Sequence, residues 1–319
     1  MPRINFDAVV HSVFRSAANL RSNKSNRLLT LLASSQPDLP QGIRLDAPDE
    51  FSFEMLRAGE QVSCRDGFLR SDSLTIDLRG ARRWKCDLSA LEADTAKPTV
   101  FAAWSFVWDA LNQRQRLSET EIIADDLFHS GGTTRSGVSR KTSEALRELV
   151  AATRRFDLAD ASAVRALIGL GFGLTPSGDD LLVGYLAGLW STVRGKNDRA
   201  QFLAGLGKSI IRHSRQTNDI SRTYLYHATR GQVSSRLTDL CEVISRGEKP
   251  ERLRESADAA MQLGHSSGMD AVTGLLVGLA AWISPGCRSL YFDATRESLG
   301  AGVSPHPEIG AHHRGPGRE

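Results

Sequence analysis

The sequence predicts an α+β protein, in which a small antiparallel β-rich domain precedes an all-helical domain with an internal repeat. Apolar and polar residues alternate from Gly42 to about Leu88, apolar residues take up helical spacing from Thr99 onward, and one polar, glycine-rich segment occurs twice in the second half. We place the domains at residues 1–115 and 116–295, followed by a flexible tail over residues 296–319 that is rich in Gly, Pro, His and charge.

The first domain is expected to begin with helices and continue with strands. In residues 5–35 the apolar side chains fall at helical spacing on either side of a polar, basic stretch, which predicts one or two short leading helices. Turn residues divide the alternating segment that follows, at Pro48-Asp49, Gly59, Asp66-Gly67 and Gly80. Short strands between such turns are typical of a small antiparallel sheet or barrel.

The second domain is expected to consist of helices. An apolar segment bridges the two parts of the chain, and further helical patterns follow it, at residues 101–111, 142–156, 162–168, 200–213, 220–229, 237–246 and 253–263. Two more helices belong to the repeat. Thr175–Leu189 and His265–Leu279 share a Ser-Gly-x-Asp turn followed by an apolar run with glycines four residues apart. This pattern predicts a polar loop at the start of a buried helix.

Composition and charge argue against several classes of protein. The 319 residues include 40 basic and 37 acidic side chains, and a formal charge of +3 is too balanced to indicate a nucleic-acid partner. The four cysteines are widely spaced, which favours reduced thiols over a zinc site. The longest apolar run, Ala271–Cys287, contains Pro285 and is too short to cross a membrane, and no apolar signal core opens the chain. We therefore expect a cytoplasmic protein with no nucleic-acid or membrane partner.

The repeated helix starts carry residues suited to holding an anion. Backbone N–H groups at a helix start lack intrahelical partners and carry the positive end of the helix dipole, so they attract a capping side chain or an anion. Ser177 and Ser267 are predicted N-caps, and Gly178 and Gly268 permit a tight turn or the close approach of a ligand.

The helical period also places one aspartate on each glycine face. Asp180 shares a face with the two glycines of its helix, and Asp270 does the same in the second copy. Glycine costs about 1 kcal/mol relative to alanine inside a helix, and close packing of the two backbones would explain its use. Asp180 and Asp270 would then line one cleft. The alternative is that the carboxylates only stabilise first turns and the glycines only fit a tight core.

Two further segments are candidates for the same cleft. The alternating glycines of Gly169–Leu174 present backbone N–H groups that are able to cradle a phosphate or carboxylate. The segment Thr217–Arg222 predicts another capped helix start, for which an ordinary surface cap is an equal alternative. Its candidate ligand-binding residues are Asp219, Ser221 and Arg222.

These motifs resemble the AllH family. The resemblance lies in Gly169–Gly184, Thr217–Ser221 and Gly264–Gly278, and more loosely in the N-terminal half. It implies a subunit of an oxamate carbamoyltransferase, a transferase of anaerobic allantoin degradation and hence of purine catabolism, whose reaction links carbamoyl phosphate and oxamate to oxalurate and phosphate. It also implies an FdrA-type subunit and a further subunit as partners.

The resulting hypothesis arranges these residues around a small anionic substrate. The candidate catalytic residues are Asp180 and Asp270, which would orient the loops or hold a metal, and His265, which would transfer a proton because histidine titrates near neutral pH. A hydrogen-bonding bridge is the alternative for His265. The candidate substrate-binding residues are Gly171, Gly173, Thr175, Ser177, Gly178, Asp179, Asp219, Ser221, Arg222, Gly264, Ser266, Ser267 and Gly268.

The clustered carboxylates leave the cofactor and two other functions open. Carboxylates repel an anion unless they hold backbone groups and Arg222 in place or a divalent cation bridges them, and their oxygens suit Mg²⁺. One alternative is a stand-alone metal-dependent hydrolase, in which the aspartates hold the ion that activates water. The other is a non-catalytic subunit that uses the same geometry to hold partner proteins or a ligand.

Overall fold

A sheet built from residues 6–77 and helices built from residues 98–280 make up the described part of the protein. The computed structural model describes residues 5–24, 27–118, 120–127, 137–157 and 161–283. This architecture confirms the predicted α+β class. The described residues all belong to one compact unit, residues 1–283. The predicted tail at 296–319 lies outside the described residues, and the predicted domain boundaries stay a prediction.

The sheet has one parallel pair in an otherwise antiparallel arrangement. Its strands are β1 (Phe6–Phe14), β2 (Ala17–Ser22), β3 (Leu28–Leu32), β4 (Gly42–Arg44), β5 (Gln61–Arg65), β6 (Phe68–Arg70) and β7 (Thr75–Asp77). They lie in the order β4-β3-β2-β1-β5-β6-β7. The sheet departs from the predicted antiparallel form where β3 pairs with β4 in parallel, because residues 33–41 carry the chain back before β4 begins.

The predicted leading helices are wrong, because residues 6–32 form the first three strands. β1 pairs with β2 on one side and with β5 on the other, so it lies in the middle of the sheet. The register shifts between Val10 and Ser12, and such a bulge breaks the two-residue alternation by which a strand is recognised. The β-branched Val9, Val10 and Val13 fit the extended backbone better than a helix.

One face of this sheet carries an apolar core. Ala18, Leu20, Leu31 and Leu69 are at most 1% exposed and belong to one buried cluster. Because successive side chains of a strand point to opposite faces, Asn19 and Thr30 lie on the face away from this core. They are paired in register across β2 and β3, and the Thr30 hydroxyl donates a 2.8 Å hydrogen bond to Asn19 Oδ1.

The helical region follows the predicted order of helices. The helices are α1 (Pro98–Leu117), α2 (Gly137–Arg155), α3 (Ser162–Leu167), α4 (Ser177–Trp190), α5 (Asn197–His213), α6 (Asp219–Ala228), α7 (Ser235–Arg246), α8 (Pro250–Met261) and α9 (Ser267–Ala280). Short 3₁₀ helices lie at Phe53–Met55, Leu88–Ala90, Asp125–Leu127 and Ser214–Gln216. The start of α6 confirms the predicted cap, because the Asn218 side chain accepts hydrogen bonds from the backbone N–H groups of Ile220 and Ser221.

The repeat helices α4 and α9 form the buried centre of this region. The Trp104 indole on α1 donates to the carbonyl of Leu276, at 2.8 Å, and the Tyr185 hydroxyl lies 2.7 Å from that of Thr153 on α2. Neighbouring helices therefore fix both members of the pair. Among the helices of the described ranges, none is long and apolar enough to cross a membrane.

Candidate functional site

The two repeat helices pack backbone against backbone through their glycines. A Cβ atom added to Gly184 would lie 1.8 Å from the carbonyl oxygen of Ala271, and one added to Gly188 would lie 2.4 Å from that of Leu275. A Cβ atom on Gly274 would lie 2.0 Å from the oxygen of Leu181. The predicted close packing is thus confirmed. Because the contacts advance in the same direction along both chains, the helices are parallel and begin at the same end.

The two helix starts meet directly. The hydroxyls of Thr175, just before α4, and Ser267, in the first turn of α9, lie 2.7 Å apart. The predicted N-caps are wrong by one residue, since Pro176 and Ser266 occupy those positions. The Pro176 carbonyl accepts from the N–H groups of Asp179 and Asp180, so the helix begins before Ser177 is available as a cap. The serines instead lie within the first turns.

Each aspartate of the repeat lies beside hydroxyls that include one from the other helix. Asp180 on α4 lies beside Ser267 and Thr175, and Asp270 on α9 lies beside Ser177 and Ser266. Asp180 is 9% exposed and Asp270 is 1% exposed. Among the described residues, Asp180 Oδ2 and both Asp270 oxygens have no partner at normal hydrogen-bond geometry. Buried polar atoms in this state are unusual in folded proteins and are candidates for contact with a ligand.

Burial shifts both carboxyls toward their neutral form. It raises the pKa of Asp180 well above its usual range, and the nearby Asp270 carboxyl adds to the rise, whereas the Ser267 and Thr175 hydroxyls oppose it. Burial likewise raises the pKa of Asp270 to about 7, with the Glu121 carboxylate adding to it. A protonated carboxyl donates a hydrogen bond and does not repel an anion.

Asp179 holds the approach to the first helix in place. It is 1% exposed, and its oxygens accept hydrogen bonds from the Gly169 N–H, at 2.9 Å, and from the Thr217 hydroxyl, at 2.5 Å. Burial raises its pKa, while these two partners and Ser221 lower it. The carboxyl therefore joins the glycine loop to the segment that leads into α6.

Asp219 is engaged by cations. It pairs with Arg21 from β2 and with Arg222 from its own helix, and its carboxylate lies 3.5 Å from Nε2 of His11. Asp219 thus joins the start of α6 to the sheet and holds the Arg222 guanidinium. Neither Asp219 nor Arg222 lines the cavity at the helix starts.

The glycine loop presents two large apolar side chains to solvent. Gly169, Gly171 and Gly173 have φ angles of +74°, +105° and +101°, which residues with a Cβ atom rarely adopt. Between and after them, Phe172 is 83% exposed and Leu174 is 59% exposed. Both side chains also line the cavity at the helix starts.

A cavity of about 1130 Å³ opens between the paired helix starts and the face of the sheet that carries Asn19 and Thr30. Most of the predicted site residues on the two repeat segments line it: Gly173, Thr175, Ser177, Asp180, Gly264, His265, Ser266, Ser267 and Gly268. Others lie outside its lining: Gly171, Gly178, Asp179, Asp219, Ser221, Arg222 and Asp270. Gly171 and Gly178 are nonetheless packed against the first helix start and its preceding turn.

Sequence reasoning missed two walls of this cavity. Asn19 and Thr30 of the sheet and Gln41, just before β4, are buried in this wall, and the Gln41 Oε1 atom has no hydrogen-bond partner among the described residues. The apolar run Leu28–Leu32, broken only by a threonine, suits a buried strand as well as a helix, and it is the signal that would have indicated this wall.

The other missed wall comes from α6 and the residues after it. Tyr224, His227 and Gln232 line the cavity there. Burial raises the pKa of Tyr224 to about 12, and the Asp180 carboxyl adds to the rise. Tyr224 falls at helical spacing among the apolar residues of α6, and such a pattern by itself does not distinguish a core residue from a cavity wall.

Two of the four aspartates predicted for the site already interact with other groups of the protein, which leaves fewer free carboxylates for a metal ion. Asp179 is hydrogen-bonded and Asp219 is ion-paired, as described above. Within the part of the chain that the structure describes, no three His, Cys, Asp or Glu side chains are grouped so as to hold a metal ion. Cys64, Cys86 and Cys241 are free thiols, and Cys287 lies outside the described residues.

Comparison with known proteins supports the motif analysis. Residues 167–279 match the family model described as oxamate carbamoyltransferase subunit AllH. Residues 3–83 match the model of the AllH family N-terminal domain. Together the two matches cover more than half of the chain, including the sheet, the glycine loop, α6 and both repeat helices. No solved structure matches the chain.

Proposed function

Because this chain belongs to the AllH family, we propose that it acts as the subunit of an oxamate carbamoyltransferase that binds the small anionic substrates. The reaction is the transfer of the carbamoyl group between carbamoyl phosphate and oxamate, giving oxalurate and phosphate, within allantoin and purine breakdown. An FdrA-type subunit and a further subunit complete the enzyme. The cavity at the paired helix starts is the substrate site.

The observation that carries this proposal is that two parallel helices begin side by side at one cavity. Each helix start has a partial positive charge and backbone N–H groups without intrahelical partners. Parallel helices bring two such ends together, which is unfavourable unless negative charge or a hydrogen-bond acceptor lies between them. Carbamoyl phosphate, oxamate and phosphate all supply this, and helix starts are common binding sites for phosphate and carboxylate.

The surroundings of the four aspartates reduce the repulsion that their carboxylates would exert on an anion. Of the four aspartates, Asp219 is neutralised by two arginines and Asp179 is held by hydrogen-bond donors. Burial favours the protonated form of Asp180 and Asp270. The cavity therefore presents hydroxyl donors and, in Asp180, a carboxyl that burial shifts toward its protonated, hydrogen-bond-donating form, so the proposal does not require a bridging cation.

The proposal is tested by titrating the ¹⁵N-labelled full chain separately with carbamoyl phosphate, oxamate and inorganic phosphate. We expect chemical-shift changes at the two helix starts, and an affinity lowered at least about tenfold by Ser177→Ala with Ser267→Ala, since each lost hydrogen bond to a charged group is worth about 1.5–3 kcal/mol. Ser73→Ala, on an exposed turn of the sheet, is the matched control.

Transfer itself is measured in the enzyme assembled with its partner subunits, as oxalurate and phosphate formed or consumed. Binding that maps to another surface, or an unchanged affinity in the double variant, would reject the site. Binding without transfer in the assembled enzyme would favour the non-catalytic alternative. A requirement for added divalent ions in the binding step would favour the metal-dependent alternative.

A further inference from the structure

A second histidine lines the cavity on the wall that α6 provides. His227 lies in the last turn of α6, three residues after Tyr224, and both side chains line the cavity. Residues three apart on a helix are neighbours on its surface. Asp180 at the start of α4 lines the same cavity, so His227 and Asp180 belong to one cavity lining.

The His227 ring is held in one orientation. Its Nδ1 atom lies 3.1 Å from Oε1 of Gln232, and the Gln232 N–H donates a 3.1 Å bond to the His227 carbonyl. An amide oxygen can only accept, so Nδ1 carries the proton in this pair. In the neutral ring Nε2 is then the acceptor. Gln232 thus selects the tautomer that is able to take up a proton.

The surroundings of His227 keep it neutral near pH 7. Burial lowers its pKa, and the Arg230 and Arg27 guanidiniums add to the effect, while the bond to Gln232 opposes it. Those two guanidiniums lie over the ring of Tyr226, at 3.6 and 4.1 Å from its centre, so their positions are fixed. A neutral histidine at working pH is the form that a general base requires.

His265 also lines the cavity but lies in the exposed turn before α9. The two histidines of the cavity therefore differ in burial, since His227 is partly buried and His265 is exposed.

We propose that His227, and not His265, is the residue that accepts the proton during carbamoyl transfer, with Gln232 as its positioning residue. This role rests on the proposed function above. The amide nitrogen of the acceptor attacks the carbamoyl carbon, a C–N bond forms, and the C–O bond to phosphate breaks. The proton released by that nitrogen passes to Nε2 of His227 and then to the departing phosphate, so the residue is regenerated.

The first test compares His227→Gln with the control His213→Gln in the assembled enzyme, because His213 on α5 lies outside the cavity lining. We expect His227→Gln to lower kcat at least about a hundredfold while KM stays within about threefold, because a general base acts mainly on the chemical step. His213→Gln should leave kcat within about threefold. A His227→Gln enzyme that keeps its kcat overturns the role, as does a His265→Gln enzyme that loses more activity than His227→Gln.

The second test separates a proton-accepting role from a structural one. Gln232→Glu places a negative charge beside Nδ1, which should raise the pKa of His227 in an NMR titration and move the acid limb of the kcat profile to higher pH by the same amount. Gln232→Leu removes the acceptor and should lower kcat without that shift. A His227 pKa that does not change, or that rises without moving the pH profile, overturns the proposal.

The experiments distinguish failure of the proposed function from failure of the role assigned to His227. If the wild-type assembly transfers the carbamoyl group and the His227 variants behave like wild type, only the assignment of His227 falls. If the wild-type assembly produces no transfer, the proposed function falls and the role of His227 falls with it.

Discussion

The two copies of the repeat form equivalent helices, α4 and α9, but the segments that precede these helices differ. The first helix follows a loop with three left-handed glycines and faces the cavity with Asp180. The second follows a short turn, and its Asp270 is 1% exposed and does not line the cavity. The duplicated segment thus supplies a pair of equivalent helix starts with two buried carboxyls, of which only that of Asp180 lines the cavity.

The largest expected effect is on folding stability, and it concerns the backbone contact between the two repeat helices. Gly184→Ala should prevent accumulation of folded protein, because its Cβ atom would lie 1.8 Å from a carbonyl oxygen that belongs to the core of the other helix. Circular dichroism and thermal unfolding measure this. Gly80→Ala is the control, since a Cβ atom there meets nothing within 4 Å, and it should change stability by less than about 0.5 kcal/mol. A normally stable Gly184→Ala protein would disprove the contact.

The next prediction concerns the buried copy. The folded protein holds a proton on Asp270 up to a pKa of about 7, whereas the unfolded chain releases it near 3.8. Stability should therefore fall as pH rises through this window, by up to about 4 kcal/mol. Asp270→Asn should remove that dependence and be the more stable protein at pH 8, as measured by urea unfolding across the pH range. Parallel stability curves for the two proteins would contradict the assignment.

A smaller effect, on the affinity for oxamate, is expected from substitutions of Asp180, the aspartate that lines the cavity. If Asp180 acts as a neutral donor, Asp180→Asn should bind oxamate within about threefold of wild type, while Asp180→Ala should bind about tenfold more weakly, since one hydrogen bond is lost. Wild-type affinity should also fall as the pH rises through the Asp180 pKa, and the Asn variant should show no such fall. Calorimetry measures both. An Asn variant as weak as the Ala variant would indicate an ionised Asp180.

The smallest effect is expected at the loop that only the first copy has. Phe172 is 83% exposed, so Phe172→Ser should change the free energy of unfolding by less than about 0.5 kcal/mol. Urea unfolding at pH 7 tests this. A loss above about 1 kcal/mol would mean that the side chain packs against the protein in solution.

Features that depend on a local sequence pattern could be predicted from the sequence. Features that depend on contacts with distant segments could not. The helices, the Asn218 cap and the Asp66-Gly67 turn were predictable, and both residues of that turn have positive φ angles, as a tight hairpin turn requires. The first three strands were not, because the bulge after Val10 disturbs the alternation of β1, and β3 is an almost continuous apolar run that periodicity does not distinguish from a helix. The roles of Asp179 and Asp219 were equally hidden, since their partners lie on distant segments.

The amino-acid sequence by itself determined that two equivalent helices would begin with small polar residues and carry glycines along one face, because helical periodicity and residue conformation are local properties. Only the tertiary structure decided that these helices run parallel, that their starts lie at a cavity lined by one face of the sheet, and that His227 lines the same cavity. Those relations depend on packing between segments far apart in the chain, and burial in turn sets which carboxyls remain protonated.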